Sequence, residues 1–256
     1  MWAFRRCARL RDLIGTLGFQ AFCELDHQFI DLVAQPKRMG TISFGCATSE
    51  GVGSMEAFKT FASVAVPIDI PNCDTDQIIP ARFLRRAADD PGYHSFLFAD
   101  LRFKKDGSDT EFVLNQGPYR AGKIFVADIN WGCGSSRENA VTALKANGIR
   151  SVIAPSFGDI HYSNCIKNGV LPVPLSVEDC ATLRAQIRES PGAEIAIDLE
   201  TQSLTGPDQT TYAFEINAFD KHRLLNGLDD VELTLEFDTQ IDTFEFIYKT
   251  ENDWAY

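Results

Sequence analysis

The feature that most constrains the fold is an alternation of short apolar runs and amphipathic segments between residues 123 and 175. Three runs rich in strand-forming residues, KIFVADI, RSVIA and GVLPVPL, begin at Lys123, Arg150 and Gly169. The segments between them, 136–147 and 158–168, have helical periodicity, and each is followed by a glycine that suits a left-handed cap. Strand, helix, strand, helix, strand at this spacing indicates short parallel βαβ units. The two prolines of the last run place it at a sheet edge.

Segments on either side extend this α/β pattern. The β-rich run FASVAVPIDI, from Phe61 to Ile70, predicts a first strand that delivers the acidic loop CDTDQIIP. After the third run, SVEDCATLRAQIRES predicts an amphipathic helix, and AEIAIDLETQSLTGPDQTTYAFEI predicts two strands around a turn at Gly206 and Pro207. The chain is therefore expected to be a mixed α/β protein.

Composition excludes several classes of protein. Hydrophobic residues make up 45% of the chain, which is ample for a core, and no apolar run reaches the roughly 18 residues of a spanning helix. The net charge of −12 argues against a nucleic acid as the main partner, because phosphates call for a basic face. The seven cysteines contain no C-x-x-C pair, so we expect this chain to bind neither zinc nor an iron–sulfur cluster. We expect no membrane partner either.

Residues 1–54 differ from residues 55–256, and we predict a boundary between them. The first segment opens with four arginines, contains a possible amphipathic helix from Leu10 to Val33 and ends in a linker-like stretch rich in glycine, serine and threonine. An organelle transit peptide is one interpretation, but acidic residues soon follow the arginines. An extension read from an upstream start codon is the other, and we favour it because the segment from Met55 makes sense alone.

The stretch GCGSSREN, residues 132–139, is the main candidate site. Ser135 stands three residues before Glu138, so the S-x-x-E pattern predicts a capping box at a helix start. A strand that leads through glycines into a helix N-terminus is also a ready anion site, and Arg137 adds a planar cationic fork. The motifs of nucleotide-binding loops are missing, so a carboxylate is the better candidate ligand. The hydroxyl of Ser135 cannot both cap the helix and act as a base, which leaves Ser136 as the alternative cap.

A serine hydrolase is disfavoured by the pattern. There is no G-x-S-x-G, and no histidine is placed by sequence as a partner for the serine. We interpret the histidines as surface or structural residues; they are His27, His94, His161 and His222.

Four segments together resemble the small subunit of bacterial 3-isopropylmalate dehydratase, a relative of aconitase. They are NCDTDQIIPARFL, NWGCGSSREN, IAPSFGDIHYSNCIKNGVLPV and FDKHRLLNGLDD, and the similarity runs in order from about Met55 to about Ile247. The resemblance implies the aconitase-like swivel domain, a β/β/α arrangement that closes over a cluster-bearing large subunit in a heterodimer or a larger assembly. It also implies an enzyme of leucine biosynthesis. We expect a cytoplasmic location, because the odd number and wide spacing of the cysteines fit a reducing compartment.

The implied reaction is the dehydration of 2-isopropylmalate to isopropylmaleate and its rehydration to 3-isopropylmalate. In the family, cysteines of the large subunit hold a [4Fe-4S] cluster, so Cys133 of this chain is not expected to be a ligand. By motif, Ser135 corresponds to the base that removes and returns the proton. Ser136 and Arg137 correspond to groups that bind the substrate carboxylate. The acidic loop is expected to line the cleft with Asp74, Thr75 and Asp76, although such a turn often only satisfies its own backbone.

Two departures from the family pattern bear on these expectations. Asn139 stands where the family usually has histidine, so that position can form hydrogen bonds but cannot carry a proton. The C-terminal VELTLEFDTQIDTFEF alternates like a strand, whereas the family has a helix there; we follow the family.

Two rival functions remain open from sequence. A related hydro-lyase would act on another 2-hydroxy diacid, such as methylmalate, dimethylmalate or homocitrate. In the family, a pocket formed partly by the loop after DTDQIIP, here about residues 81–93, recognises the side group of the substrate. An RNA-binding regulator is the other rival, but the acidic charge and the presence of Ser135 and Arg137 oppose it.

Overall fold

The structure is a computed structural model that describes residues 55–252 and Trp254. These residues lie within a compact unit that runs from Val52 to Tyr256. The expectations for residues 1–54, including the helix and the linker, fall outside the described residues.

The described residues form a seven-stranded mixed sheet. Its strands are β1 (Thr60–Pro67), β2 (Ile124–Val126), β3 (Ser151–Ala154), β4 (Leu171–Pro174), β5 (Glu194–Asp198), β6 (Ser203–Thr205) and β7 (Thr211–Ala213).

The sheet has a parallel half and an antiparallel half that meet at β1. The strand order is β4-β3-β2-β1-β5-β6-β7. Neighbours among β1 to β4 are parallel, with Ala65 opposite Ile124, whereas β5 runs antiparallel to β1, with Asp198 opposite Thr60. The sheet continues antiparallel through β6 and β7. The α/β swivel-domain expectation is confirmed, and β4 lies at the edge because its prolines cannot donate to a further strand.

Helices connect the strands and extend the C-terminal region. They are α1 (Thr75–Ile78), α2 (Ala99–Arg102), α3 (Glu138–Ala146), α4 (Asp159–Lys167), α5 (Val177–Glu189), α6 (Ala218–Asn226), α7 (Asp230–Leu235) and α8 (Asp238–Glu251). Single 3₁₀ turns occupy Ala81–Phe83, Tyr93–Phe96, Val113–Asn115 and Gly117–Tyr119.

The parallel strands are buried because helices cover them. All four residues of β3 and all three of β2 are buried, and α5 packs against β1, β2 and β3. Such strands are expected to be continuous apolar runs, and RSVIA has this form. Ser151 is the polar member, and its hydroxyl donates to the Leu171 carbonyl at 2.8 Å. The buried hydroxyl is thereby satisfied.

Two predictions about the later segments have different outcomes. Residues 193–216 form three strands rather than two, because the turn around Thr201 adds a pairing between β5 and β6. The predicted turn at Gly206 and Pro207 separates β6 from β7. The C-terminal segment is helical, as the family pattern implies, so its strand-like alternation was misleading.

The parallel half of the sheet also determines where the site lies. Strands β1, β2 and β3 are adjacent and parallel, so their carboxyl ends meet at one edge. In open α/β sheets, ligands bind in the crevice outside these ends. Residues 72–76, 130–137 and 155–161 follow the three strands; they form the connecting loops together with the first residues of α1 and α4, and we refer to them as the three loops. All of the predicted site residues lie in the first two.

Candidate functional site

The glycine-rich loop after β2 runs beside the acidic loop after β1. The Gly132 amide donates to the Cys73 carbonyl at 2.8 Å, and the Thr75 amide donates to the Cys133 carbonyl at 3.1 Å. Gly132 and Gly134 have φ of 69° and 85°, a left-handed conformation that glycine adopts without strain. The two loops therefore form a short parallel ladder that continues beyond the sheet.

The loop after β3 holds the glycine-rich loop from the other side. The Trp131 amide donates to the Ser156 carbonyl at 2.9 Å, and the Gly158 amide donates to the Trp131 carbonyl at 2.8 Å. A Cβ on Gly158 would lie 2.6 Å from the Gly132 carbonyl oxygen. This position needs glycine because the two backbones touch there.

Thr75 connects the acidic loop directly to Ser135. Its side chain is buried, and its hydroxyl donates to the Ser135 carbonyl at 2.8 Å. Thr75 thus holds the backbone that carries the candidate base.

Neither serine caps helix α3. The helix begins after Arg137, which is the N-cap residue with an extended backbone, and no side chain of the described residues caps it. Glu138 accepts instead from Asn168, at 3.0 Å. The predicted capping box is therefore wrong, and so is the alternative cap at Ser136, because the helix starts two residues later than the pattern indicates. Both serines are exposed, with their hydroxyls outside any cap.

Arg137 and Asp76 form an ion pair across the two loops. The pair joins a half-buried guanidinium to an exposed carboxylate, and one nitrogen of the planar fork makes the contact. Asp74 is engaged locally, since it caps α1 in a capping box with Gln77. The structure thus brings together all six predicted residues of the acidic and glycine-rich loops: Asp74, Thr75, Asp76, Ser135, Ser136 and Arg137.

A cavity of about 230 Å³ lies where the three loops meet. It is lined by Thr75, by the glycine-rich loop from Gly132 to Arg137, and by the segment from Gly158 to His161. The sequence pattern identified the first two contributors. The third lies within IAPSFGDIHYSNCIKNGVLPV, a segment that indicated the family but to which no site residue was assigned. The adjacency of β2 and β3 brings it to the cavity.

His161 is the buried titratable group of this cavity. It is 3% exposed, and neither ring nitrogen has a hydrogen-bond partner among the described residues. Burial lowers the pKa of its imidazole to about 4, so the ring is neutral at pH 7. A Cβ on Gly132 would lie 2.2 Å from this ring, so the imidazole lies directly against the glycine-rich loop. From the sequence we expected His161 to be a structural or surface residue; its contact with the glycine-rich loop was not part of that expectation.

The remaining polar positions lie away from the cavity. Asn139 donates to the Tyr93 hydroxyl at 3.2 Å, a hydrogen-bonding role that asparagine can fill. His94 is exposed beside the Pro91 carbonyl, and His222 contacts Glu236. His27 falls outside the described residues.

The cysteines of the described residues are unsuited to hold a cluster. Cys165 and Cys180 are buried, and burial with the nearby Asp74 carboxylate and Cys133 raises the pKa of Cys73 to about 12. Cys133 is half-buried and its thiol contacts the Asn72 carbonyl at 3.3 Å. Within residues 55–252 and Trp254, no group of three His, Cys, Asp or Glu side chains could hold a metal ion. None of the helices described is long and apolar enough to cross a membrane.

Two family models match the chain. The Aconitase C-terminal domain model matches residues 55–178, and the LeuD_N model matches residues 181–218. The first match contains all three loops of the cavity.

Curated relatives match most of the chain. The chain is 50% identical over 201 residues to the 3-isopropylmalate dehydratase small subunit of Azorhizobium caulinodans, a match of 78% of this chain and 100% of the relative. It is 48% identical over 202 residues to the protein of the same name from Rhodopseudomonas palustris and 46% identical over 202 residues to that of Brucella canis, with the same coverage.

A solved structure has the same fold. The 3-isopropylmalate dehydratase structure from Methanocaldococcus jannaschii matches with a TM-score of 0.53 and 29% identity, over 73% of this chain and 99% of that one.

Proposed function

Since this chain belongs to the family of 3-isopropylmalate dehydratase small subunits, we propose that it handles the substrate in a hydro-lyase formed with a large subunit. In the proposed reaction, 2-isopropylmalate loses a proton and its hydroxyl as water to give isopropylmaleate. Water then adds with the opposite regiochemistry to give 3-isopropylmalate. The large-subunit partner and this substrate are parts of the proposal, which places the reaction in leucine biosynthesis.

This proposal rests on one observation: Ser135 is exposed at the edge of the cavity, and its hydroxyl does not cap the helix. An alcohol acts as a base only when its oxyanion is stabilised. The N-terminus of α3 supplies unpaired amides and the positive end of the helix dipole close to this serine. Since the hydroxyl does not cap the helix, it is free to remove the proton from substrate carbon and to return it.

The substrate carboxylate is assigned to Arg137 and Ser136. One guanidinium nitrogen of Arg137 donates to Asp76, so its other N–H groups can donate to a substrate carboxylate. Asp76 has the role of holding that fork in place, and Asp74 and Thr75 hold the backbone on which the site depends.

We assign the [4Fe-4S] cluster to the large subunit, as in the family. In residues 55–252 and Trp254, no three His, Cys, Asp or Glu side chains lie together in a way that could hold a metal ion. When bound to the large subunit, the cluster supplies Lewis-acid chemistry toward the substrate's hydroxyl. We place the assembly in the cytoplasm. We assign it neither a nucleic-acid nor a membrane partner, on the grounds of its acidic charge and the chemistry of its relatives.

The test is Ser135→Ala in the reconstituted enzyme, with the large subunit and an intact cluster. Loss of a general base is expected to lower kcat by a factor of roughly 10²–10⁴. The cluster absorbance and the association of the subunits should stay unchanged. Ser190→Ala, at an exposed serine that ends α5, is the control and should retain wild-type activity.

Full isomerisation by Ser135→Ala would refute the role of this serine. A panel of hydroxy diacids measured with the wild-type enzyme tests the substrate, because a higher kcat/KM for methylmalate, dimethylmalate or homocitrate would favour the related hydro-lyase.

A further inference from the structure

Helix α8, from Asp238 to Glu251, has an unusual exposure for a helix of its length. Each of its 14 residues is exposed, and none is buried among the residues described. Large apolar side chains are included, with Phe244 at 65% and Phe246 at 73% exposure. Such clustering of exposed aromatic and aliphatic groups is typical of an interaction surface.

The helix needs a partner for a physical reason. Helices shorter than about 12–15 residues are marginal in water, and most of their stability comes from packing an amphipathic face. No side chain among the described residues caps the N-terminus of α8 at Phe237. Since α8 packs no residue into the core, the missing apolar contact must come from outside the described part of the chain.

One face of α8 is apolar. Phe237, Ile241 and Phe244 follow at i, i+4 and i+7, which places them in one stripe along the helix. The Phe244 ring stacks on Tyr248, which extends the stripe by one turn, with centroids 5.7 Å apart. We call this surface the aromatic stripe. Phe246 lies on the opposite side of the helix, because two residues correspond to about 200° of rotation.

Carboxylates border the aromatic stripe. Asp238, Asp242 and Glu245 repeat the i, i+4, i+7 spacing one position further along, so they lie on one flank of the stripe. Lys249 pairs with Glu245 at 2.9 Å. Among the described residues, no partner is found for the carboxylates of Asp238 and Asp242. The flank is therefore acidic.

The acidic flank determines what can cover the stripe. The segment from Asp229 to Glu251 has one lysine and eight acidic residues, which are Asp229, Asp230, Glu232, Glu236, Asp238, Asp242, Glu245 and Glu251. A second copy would bring like charges together, which is unfavourable. An apolar groove edged by lysine or arginine provides complementary charge.

We propose that the aromatic stripe of α8 is the docking surface for the large subunit, which receives it in an apolar groove edged by basic residues. This inference rests on the proposed function, since it takes the large subunit as partner. It adds that the affinity between the subunits depends on a helix that carries none of the catalytic groups.

The experiment measures the affinity of the full chain for the large subunit with Phe244→Asp and its matched control Phe246→Asp. Both replace an exposed phenylalanine of the same helix, so the fold of the sheet domain is not at risk. Loss of an interface aromatic is expected to raise Kd by about 10-fold or more in Phe244→Asp. Phe246→Asp should stay close to the wild-type Kd.

A charge-reversal variant tests the acidic flank separately. Asp242→Lys should raise Kd and weaken the dependence of Kd on salt, since a complementary charge pair is lost. At saturating large subunit, Phe244→Asp should recover wild-type kcat, whereas Ser135→Ala binds normally and stays inactive; this difference separates the two proposals.

Equal affinities of Phe244→Asp and the wild type would overturn the docking surface. Self-association of the wild type that Phe244→Asp abolishes would overturn it in favour of a second copy. A wild-type chain that does not bind the large subunit would overturn both proposals, whereas tight, Phe244-dependent binding without isomerisation would overturn only the proposed reaction.

Discussion

The hydroxyl of Thr75 acts on the candidate base through the backbone. It is 2% exposed, yet its hydrogen bond to the Ser135 carbonyl joins two loops that are 60 residues apart in the chain. Catalytic groups must be held to a fraction of an ångström, and a hydrogen bond of this kind fixes the position of the backbone that carries one.

Thr75→Val is expected to impair catalysis more than substrate binding. Valine keeps the shape but leaves the Ser135 carbonyl without its donor, at a cost of about 1–3 kcal/mol. We expect kcat to fall by about 10-fold with a smaller change in KM, because Arg137 is unaffected. Steady-state kinetics of the reconstituted enzyme measures both, and Thr75→Ser, which restores the donor, should recover most of kcat.

His161 should make stability depend on pH. The pKa of its imidazole is about 4 in the folded chain and about 6.5 when unfolded. Above pH 6.5 the imidazole is neutral in both states, so it does not lower the free energy of unfolding. As the pH falls from 6.5 toward 4, the unfolded chain binds a proton that the folded chain does not, and the free energy of unfolding decreases. The linked loss is on the order of 3 kcal/mol. Replacement by phenylalanine removes this linkage and also removes a buried imidazole with no partner.

Urea unfolding at pH 7 and pH 5 tests this prediction. The free energy of unfolding of His161→Phe should fall less between the two pH values than that of the wild type. His94→Gln, at an exposed histidine outside the cavity, should unfold like the wild type. An unchanged pH dependence in His161→Phe would contradict the assignment.

The glycine-rich loop behaves as a structural element with two neighbours rather than as a free loop. Its backbone bonds to the loop after β1 on one side and to the loop after β3 on the other. Three parallel strands determine the separation of these loops. Contacts between the backbones leave no room for a side chain at Gly158.

Gly158→Ala should therefore disturb the site through steric contact alone. Its φ is −67°, which alanine can adopt, but the new Cβ would meet the Gly132 carbonyl at 2.6 Å. Overpacking of this kind costs about 1–3 kcal/mol, and displacement of the loop should also lower kcat. Thermal unfolding and kinetics check both effects. Gly117→Ala is the control, because no atom lies within 4 Å of its added Cβ, and it should match the wild type.

At the scale of the whole molecule, the three loops of the cavity and α8 come from different parts of the chain. The loops follow β1, β2 and β3, whereas α8 follows the antiparallel half of the sheet. The relatives are matched over their full length by 201 or 202 residues of the chain, and the first family model begins at residue 55. We predict from this that residues 1–54 are not required for chemistry.

A chain that begins at Met55 should retain the stability and activity of the full chain. The seven strands and the cavity all come from residues 60–213, so this truncation leaves them intact. The expected result is the same Tm and the same kcat/KM in the presence of the large subunit. A large loss of either would assign residues 1–54 a structural or catalytic role.

The sequence by itself determined the parallel strands, the edge position of β4 and the motif that brings Ser135 and Arg137 to a helix start. These features are local, since apolar runs, prolines and glycine turns restrict the backbone within a few residues. The resemblance to a family also corrected the strand-like pattern of the C-terminal helix. Local patterns failed at the cap of α3, where S-x-x-E fits a capping box that does not form.

Only the tertiary structure decided which groups meet in the cavity. His161 and Gly158 arrive with the loop after β3, and Thr75 reaches Ser135 because β1 and β2 are adjacent. Such contacts depend on strand order and on long-range hydrogen bonds, which no window of the sequence contains. The exposure of α8 is of the same kind, because an amphipathic pattern predicts an apolar face but not whether this chain or another covers it.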